Sequence, residues 1–313
     1  MQEINNSLKG RDFISIHDFT PEEIAYILEV GATLKKEQKQ GIPHHHLAGK
    51  TLGMIFQKSS TRTRVAFEVG MYQLGGHALF LSPRDIQLGR GETIADTAQV
   101  LSRMVDGIMI RTFDHEEVLE LAKWADVPVI NGLTDLLHPT QVIGDMMTIQ
   151  EHKGRLQGLK LAFVGDGNNV AHSLLFGGAK VGMDVVIATP PGFEPNPQIL
   201  SLAQQDAQAT GAKLWVLNDP AEAVQDADIV YTDVWASMGQ EDQAEEKEKQ
   251  FLKYQVNQSL MSLAKKDAIV LHCLPAKRGK EITDEVMDGP QSAVFDEAEN
   301  RLHAHKAIMA LIM

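Results

Sequence analysis

Gln57, Lys58, Ser59, Ser60, Thr61, Arg62, Thr63 and Arg64 follow directly on the apolar run Thr51 to Phe56 and lead into an amphipathic stretch from Val65 to Leu74. Hydroxyls, fixed guanidinium charges and the N–H groups of a helix start then converge on one point, and anions bind at such points. A phosphate is the natural guest, which indicates a small phosphorylated compound. Other chemically able residues also follow predicted strands. Arg111 ends the run GIMIR, His138-Pro139-Thr140-Gln141 opens a helix, Asp233 follows DIVYT, and Cys273 and Leu274 follow AIVLH. His138 and Gln141, three positions apart, share a helical face.

The elements that must hold these residues alternate along the chain. Strands are predicted at 51–56, 78–81, 107–111, 127–130, 159–164, 184–188, 213–217, 228–231 and 268–272, with helices at 65–75, 115–125, 140–152, 170–180 and 197–209 among others. Thr20-Pro21-Glu22-Glu23 reads as a capping box opening a helix that ends near Gly41. Such alternation predicts α/β architecture: two doubly wound parallel-sheet domains with a cleft between them, at the carboxyl ends of the strands. Leu47-Ala48-Gly49-Lys50 and Leu156-Gln157-Gly158 each precede a long strand, a weak internal echo of two similar halves. The expected division is residues 1–148 and 149–296, with a C-terminal helix near 297–313 returning to the first domain.

Composition narrows the function further. The 313 residues suit two domains, and a net charge of −13 argues against nucleic acid or an anionic membrane as partner. The single Cys273 excludes an intrachain disulfide and fits a reducing cytoplasm. No apolar run approaches the ~18 residues of a membrane span, and the N-terminus lacks the apolar core of a signal peptide. His44-His45-His46 reads as a surface loop rather than a metal site, because no carboxylate or Cys neighbours it. The charged run 240–253 reads as a solvated loop and helix face.

Taken in order, Ser60-Thr61-Arg62-Thr63, His138-Pro139-Thr140-Gln141, the segment DVWASMG from Asp233, His272-Cys273-Leu274-Pro275 and the segment FDEAENR ending at Arg301 resemble the transcarbamoylases, and within them the ornithine carbamoyltransferase branch. The match covers nearly the whole chain. It implies transfer of the carbamoyl group of carbamoyl phosphate to the δ-amine of L-ornithine, giving citrulline and phosphate, with no metal or organic cofactor. It also implies a homotrimer, or a higher assembly of trimers, with active sites shared between subunits.

The resemblance assigns roles by position. Ser60, Thr61, Arg62 and Thr63 match the phosphate-binding turn, with Arg62 neutralising the leaving phosphate. Arg111 and His138 match the groups at the carbamoyl carbonyl, His138 as a donor to its oxygen. Gln141 accepts from the carbamoyl NH₂, beside Pro139 and Thr140. Gln87 matches a residue that reaches carbamoyl phosphate from a neighbouring subunit, and Arg301 closes that pocket. Asn169, Asp233, Ser237 and Met238 match the amino-acid clamp, with Asp233 facing a cationic amino group. Cys273, open on residue type alone to being a buried small hydrophobe, a site-lining group or a nucleophile, takes a positioning role beside the amine, with Leu274 as a carbonyl contact; the resemblance also places both at carbamoyl phosphate.

Rival readings are weaker. An aspartate-using relative has His-Pro-Leu-Pro where this chain has His272-Cys273-Leu274-Pro275, and a Lys in the loop that here carries Arg84 and Arg90. Putrescine or another amine acceptor shares the reacting amine, but would not use the clamp expected for the α-groups of ornithine. A nicotinamide dehydrogenase is suggested by Gly165-Asp166-Gly167, yet Val170 stands where the third glycine belongs and the next strand ends at Thr189 rather than an acid. A non-catalytic paralogue would not need the polar motif residues.

Overall fold

A computed structural model describes residues 7–88, 91–236 and 244–313. The chain divides into two compact units, one of Met1–Met147 with Asn300–Met313, the other of Thr148–Glu299. The first contains β1 (Thr51–Phe56), β2 (His77–Leu81), β3 (Gly107–Arg111) and β4 (Val129–Leu133) in the order β2-β1-β3-β4, every pairing parallel. Helices α1 (Pro21–Lys39), α2 (Thr61–Gln73), α3 (Ile94–Leu101) and α4 (His115–Trp124) belong to the same unit. Helix α5 (Pro139–Lys153) starts in the first unit and continues into the second.

The second unit carries β5 (Lys160–Val164), β6 (Asp184–Ala188), β7 (Leu214–Leu217), β8 (Ile229–Thr232) and β9 (Ile269–His272) in the order β7-β6-β5-β8-β9, again wholly parallel. Helices α6 (Asn169–Val181), α7 (Pro197–Asp206), α8 (Pro220–Val224), α9 (Ala244–Phe251), α10 (Gln258–Met261) and α11 (Asp284–Met287) accompany them, and α12 (Val294–Ile312) closes the chain. In each unit the connections leave the first strand toward opposite sides, so β1/β3 and β5/β8 are topological switch points. Ligands of open parallel sheets bind outside the carboxyl ends of strands at such points.

Among the predicted boundaries that move, two do so for identifiable reasons. Helix α2 starts at Thr61 rather than 65, because Ser60 caps it, its side chain accepting from Thr63 N at 3.2 Å. The Thr61–Arg64 segment is therefore a first helical turn and not a loop. Strand β4 occupies Val129–Leu133 rather than 127–130. Pro128 has no N–H to donate, Asp12 accepts from Val129 N at 2.8 Å, and the backbone of Phe13 pairs beside Ile130, extending the strand. Thr20 and Glu23 form the expected capping box.

Two surface readings are corrected. His44 is buried, and its Nε2 accepts from the fully buried Lys306 Nζ at 3.2 Å; the same ammonium donates to Gln73 Oε1 at 2.9 Å. His45 and His46 are exposed. Burial holds Lys306 down to about 8. In the charged run, Lys247 and Phe251 of α9 are buried, with Lys247 Nζ 2.5 Å from Asp166 Oδ2; residues 240–243 lie outside the described residues. No helix among the described residues is long and apolar enough to cross a membrane.

Helix α12 brings buried rings into the first unit. Burial, then the charges of Lys306, Lys35 and Lys39, push His303 from the ordinary 6.5 to about 3. Burial also lowers His44, His138 and His305, the last two strongly. A depressed folded-state value means that the unfolded chain binds more protons between about 3 and 6.5. Stability from these rings is therefore complete above 6.5 and is lost as pH falls toward 3. Thermal unfolding followed from pH 7 to pH 4 should show a falling midpoint, and His303→Gln should flatten that slope; an unchanged slope would remove His303 as a cause.

Candidate active site

Site residues of the first unit gather at the carboxyl ends of β1, β3 and β4. Phe56 and Arg111 are register neighbours on β1 and β3, and Arg111 pairs with Leu133 across a register shift. The chain leaving β1 is tied back to that end: Gln57 N donates to Arg111 O at 2.9 Å, and Arg111 Nε donates to Lys58 O at 3.1 Å. This tie orients a guanidinium that is only 5% exposed. Thr61 is exposed and Arg62 half-buried on the first turn of α2, while Thr63 is fully buried. An open pocket of about 490 Å³ lies here, walled by Phe56, Ser60, Thr61, Arg64 and Phe80.

Two further elements converge on Thr63 and Arg111. Thr134 Oγ1 accepts from Leu137 N at 3.1 Å, shaping the turn that delivers His138, Pro139, Thr140 and Gln141 to the start of α5. His138, Thr140 and Gln141 are buried. Gln141 Nε2 donates to Asp145 Oδ1 at 2.8 Å, one turn on, and the buried Thr140 Oγ1 has no hydrogen-bond partner among the described residues. From α12, Arg301 donates to Thr63 Oγ1 at 2.7 Å. Gly144 allows this approach, since a Cβ there would stand 3.2 Å from Arg301 Cγ and 3.3 Å from its backbone N.

Charge follows from this packing. Burial drives His138 well below its ordinary value, and Arg301, Arg111, His305 and Lys58 push in the same direction. Its ring is therefore neutral at pH 7, able to donate one hydrogen bond but not to act as a strong acid. Lys58, itself buried, reaches Asp135 Oδ1 at 3.0 Å. An acidic chain has thus concentrated fixed positive charge in one low-dielectric place, which suits a multiply charged anion. Gln87 is exposed in the loop after β2 and is not gathered with these residues.

The second unit assembles a different chemistry at the ends of β5, β8 and β9. Asn168 caps α6, its Oδ1 accepting from Val170 N at 3.0 Å and Ala171 N at 3.2 Å, while its Nδ2 donates to Asp233 Oδ2 at 2.8 Å. The Cys273 thiol donates to Asp233 Oδ1 at 3.0 Å, and Val234 N donates to the same oxygen at 2.7 Å. Asn169 is buried as the first residue of α6, and Leu274 adjoins Cys273 with a left-handed φ of 57°. Cys273 and Leu274, expected at carbamoyl phosphate, thus belong to the second unit. Ser237 and Met238 lie outside the described residues.

Comparison with known proteins matches both halves. Residues 11–151 fit the family model "Aspartate/ornithine carbamoyltransferase, carbamoyl-P binding domain", and residues 157–312 fit the companion "Asp/Orn binding domain". The chain belongs to the aspartate/ornithine carbamoyltransferase family. It is 62% identical to an ornithine carbamoyltransferase of Carboxydothermus hydrogenoformans, over 98% of this chain and 99% of that one. It is 59% identical to an anabolic ornithine carbamoyltransferase of Pyrococcus furiosus, over 98% and 97%. The solved ornithine carbamoyltransferase of Pyrococcus furiosus superposes with a TM-score of 0.95 at 58% identity, covering 98% of each chain.

Family membership disposes of the dehydrogenase reading, and local packing agrees. The close approach that Gly167 permits is to the chain's own backbone, since a Cβ there would lie 2.3 Å from Pro195 N. Asp233, His272 and Cys273 offer ligand atoms within 4.8 Å of one another. However, Nε2 of His272 lies 2.9 Å from Glu281 and Nδ1 accepts from Leu274 N, so this ring is already engaged. Sequence reasoning gave no role to Asn168, and none to Lys58 beyond its place in the opening turn. The Asn-Asn pair opening a helix was a usable signal for the first, because only one of two adjacent residues is the cap. Ser60→Ala should lower stability by about 1 kcal/mol through loss of the α2 cap, read by urea unfolding; an unaltered midpoint would mean that the cap is dispensable.

Proposed function

We propose that this chain transfers the carbamoyl group of carbamoyl phosphate to the δ-amine of L-ornithine, forming citrulline and phosphate in the arginine-forming direction. The observation that carries the reading is that likeness to proteins named ornithine carbamoyltransferase runs through both units and so covers both half-sites. Those names favour ornithine over putrescine as acceptor.

The chemistry uses the groups as they are held. Ser60, Thr61, Arg62 and Thr63 bind the phosphate at the start of α2, where N–H groups and a guanidinium meet it. Arg301 closes over the same anion. Arg111 and the neutral His138 donate to the carbamoyl oxygen, where negative charge grows as the amine attacks. Gln141, its Nε2 held by Asp145, accepts from the carbamoyl NH₂ through Oε1. Pro139 sets the turn, and the buried Thr140 hydroxyl offers a further polar contact. A C–N bond forms, the C–O bond to phosphate breaks, and the amine releases a proton.

On the acceptor side, Asp233 pairs with a cationic amino group of ornithine, Asn169 holds its carboxylate, and Ser237 with the Met238 backbone completes the clamp. Cys273 and Leu274 line the position of the reacting amine. The protein works as a homotrimer, or an assembly of trimers, in which Gln87 serves a neighbouring site. Val65 and Tyr72 of α2 and Leu79 and Phe80 of the edge strand β2 support this, being 52%, 79%, 39% and 36% exposed. The reduced thiol of Cys273, donating to Asp233, suits the cytoplasm.

Parallel assays with ornithine, putrescine and aspartate should give product with ornithine alone at comparable rates; faster turnover of putrescine would overturn the assignment. Arg62→Ala should weaken carbamoyl phosphate binding by at least about 100-fold with the fold intact. Asp233→Asn should raise KM for ornithine while carbamoyl phosphate affinity stays within about threefold; calorimetric titration separates the two. Because the δ-amine has a reference pKa near ~10.4 and must react neutral, kcat/KM for ornithine should climb between pH 6 and pH 9. A flat profile would contradict attack by the free amine.

A further inference from the structure

His272 and Glu281 form a buried pair that no substrate role requires. Their side chains are 0% and 1% exposed. Glu281 is fixed from its backbone outward: its carbonyl accepts from Val256 N at 2.8 Å, and the next residue, Ile282, is fully buried. Its Oε1 lies 2.9 Å from His272 Nε2 and accepts from Lys277 N at 2.6 Å. On the other side of the ring, Nδ1 accepts from Leu274 N at 2.9 Å. A backbone N–H can only donate, so Nδ1 carries no proton and the ring hydrogen is on Nε2, pointed at the carboxylate. His272 N is itself held by Glu297 Oε2 at 2.8 Å, whose other oxygen accepts from Tyr231 OH at 3.0 Å.

This arrangement bears on one strained residue. Leu274 has φ 57°, a left-handed conformation disfavoured for a branched, non-glycine side chain. The conformation persists where surrounding bonds over-determine it. The bond from Leu274 N to the ring does this, and the ring can make it only in the tautomer that Glu281 selects. The preceding residue, Cys273, presents its thiol to Asp233 Oδ1 at 3.0 Å.

We infer that Glu281, acting through His272, is a positioning device for the acceptor half of the site: it locks the His272 tautomer, and the ring locks Cys273 and Leu274 in the geometry that presents the thiol to Asp233. Neither residue is a catalytic base. Nδ1 already receives the Leu274 N–H, so it cannot take the amine's proton. The inference rests on the reading of Asp233 and Cys273 as acceptor-side residues, and it names what holds them.

Paired substitutions separate positioning from bulk stability. In His272→Asn the side-chain oxygen replaces Nδ1 and keeps an acceptor for Leu274 N; in His272→Gln the amide replaces Nε2, keeping the Glu281 contact and losing that acceptor. Glu281→Gln keeps a neutral acceptor for Nε2–H, whereas Glu281→Ala removes it. Cys273, the only cysteine, allows a readout independent of turnover: its alkylation rate with iodoacetamide. His272→Gln and Glu281→Ala should change that rate and raise KM for ornithine by about tenfold, the scale of one buried hydrogen bond. KM for carbamoyl phosphate should stay unchanged, and His272→Asn and Glu281→Gln should remain within about threefold of the parent.

Equal behaviour of His272→Asn and His272→Gln, or an unaltered alkylation rate in Glu281→Ala, would overturn the inference. If the two severe variants do not fold, folded Glu281→Gln decides it: a parent-like alkylation rate supports a tautomer-setting acceptor, and a changed rate refutes it. Absence of citrulline formation by the unsubstituted protein would instead defeat the proposed function, leaving the alkylation comparison to judge the positioning device by itself.

Discussion

The first unit is organised around positive charge that cannot be discharged. A guanidinium does not lose its proton in a protein, yet Arg111 and Arg301 are 5% and 2% exposed. Arg111 donates to the Lys58 carbonyl and Arg301 to the Thr63 hydroxyl, neutral oxygens that solvate part of each cation. Everything nearby adjusts to this. The imidazoles of His138 and His305 stay neutral, since a further cation among arginines would be repelled as well as desolvated. Helix α2 is capped by Ser60, a neutral residue, and not by a carboxylate that would compete with an anionic substrate. Under the proposed function, a phosphate would add negative charge at a place where positive charge is already concentrated.

Much of the architecture was legible in the residue pattern, because buried parallel strands read as short apolar runs and each is followed by the polar residues that it presents. The residues at the strand ends, from Ser60 and Arg111 to Asp233 and Cys273, could be named for that reason. What escaped was set by partners far along the chain. His44 meets Lys306 across 262 positions. No local pattern marks His44 as the acceptor for a buried ammonium, so its place in a histidine triplet was misleading. The β4 boundary depends on Phe13 in the same way, since a strand ends where pairing ends and not where β-propensity does.

The second unit shows the limit of reading single residues. Asn168 and Asn169 are chemically identical, but the cap position turns the side chain of one toward two helix N–H groups and Asp233, leaving the other at the first helical position. Residue type named the pair; the helix start divided its roles. Glu281 is a stronger case. It lies outside every recognisable motif, and its importance emerges only when the hydrogen-bonding capacity of His272 is counted atom by atom.

The two units apply one topology to opposite charges, and the difference in their solutions follows from the substrates. Under the proposed function, a phosphate dianion is met by permanent cations, the buried Arg111 and Arg301 of the first unit. Under the proposed function, the second unit holds the charged α-ammonium of ornithine while the δ-amine reacts in its neutral form. Asp233, the proposed partner of that ammonium, has a carboxylate that is already shared: Oδ2 accepts from Asn168, and Oδ1 accepts from both the Cys273 thiol and Val234 N. Each donor drains charge from the carboxylate and weakens its grip on a substrate ammonium. The lone cysteine is then intelligible without covalent chemistry. A weak, short donor tempers the carboxylate, and under the proposed function it leaves beside it the room that the δ-amine requires.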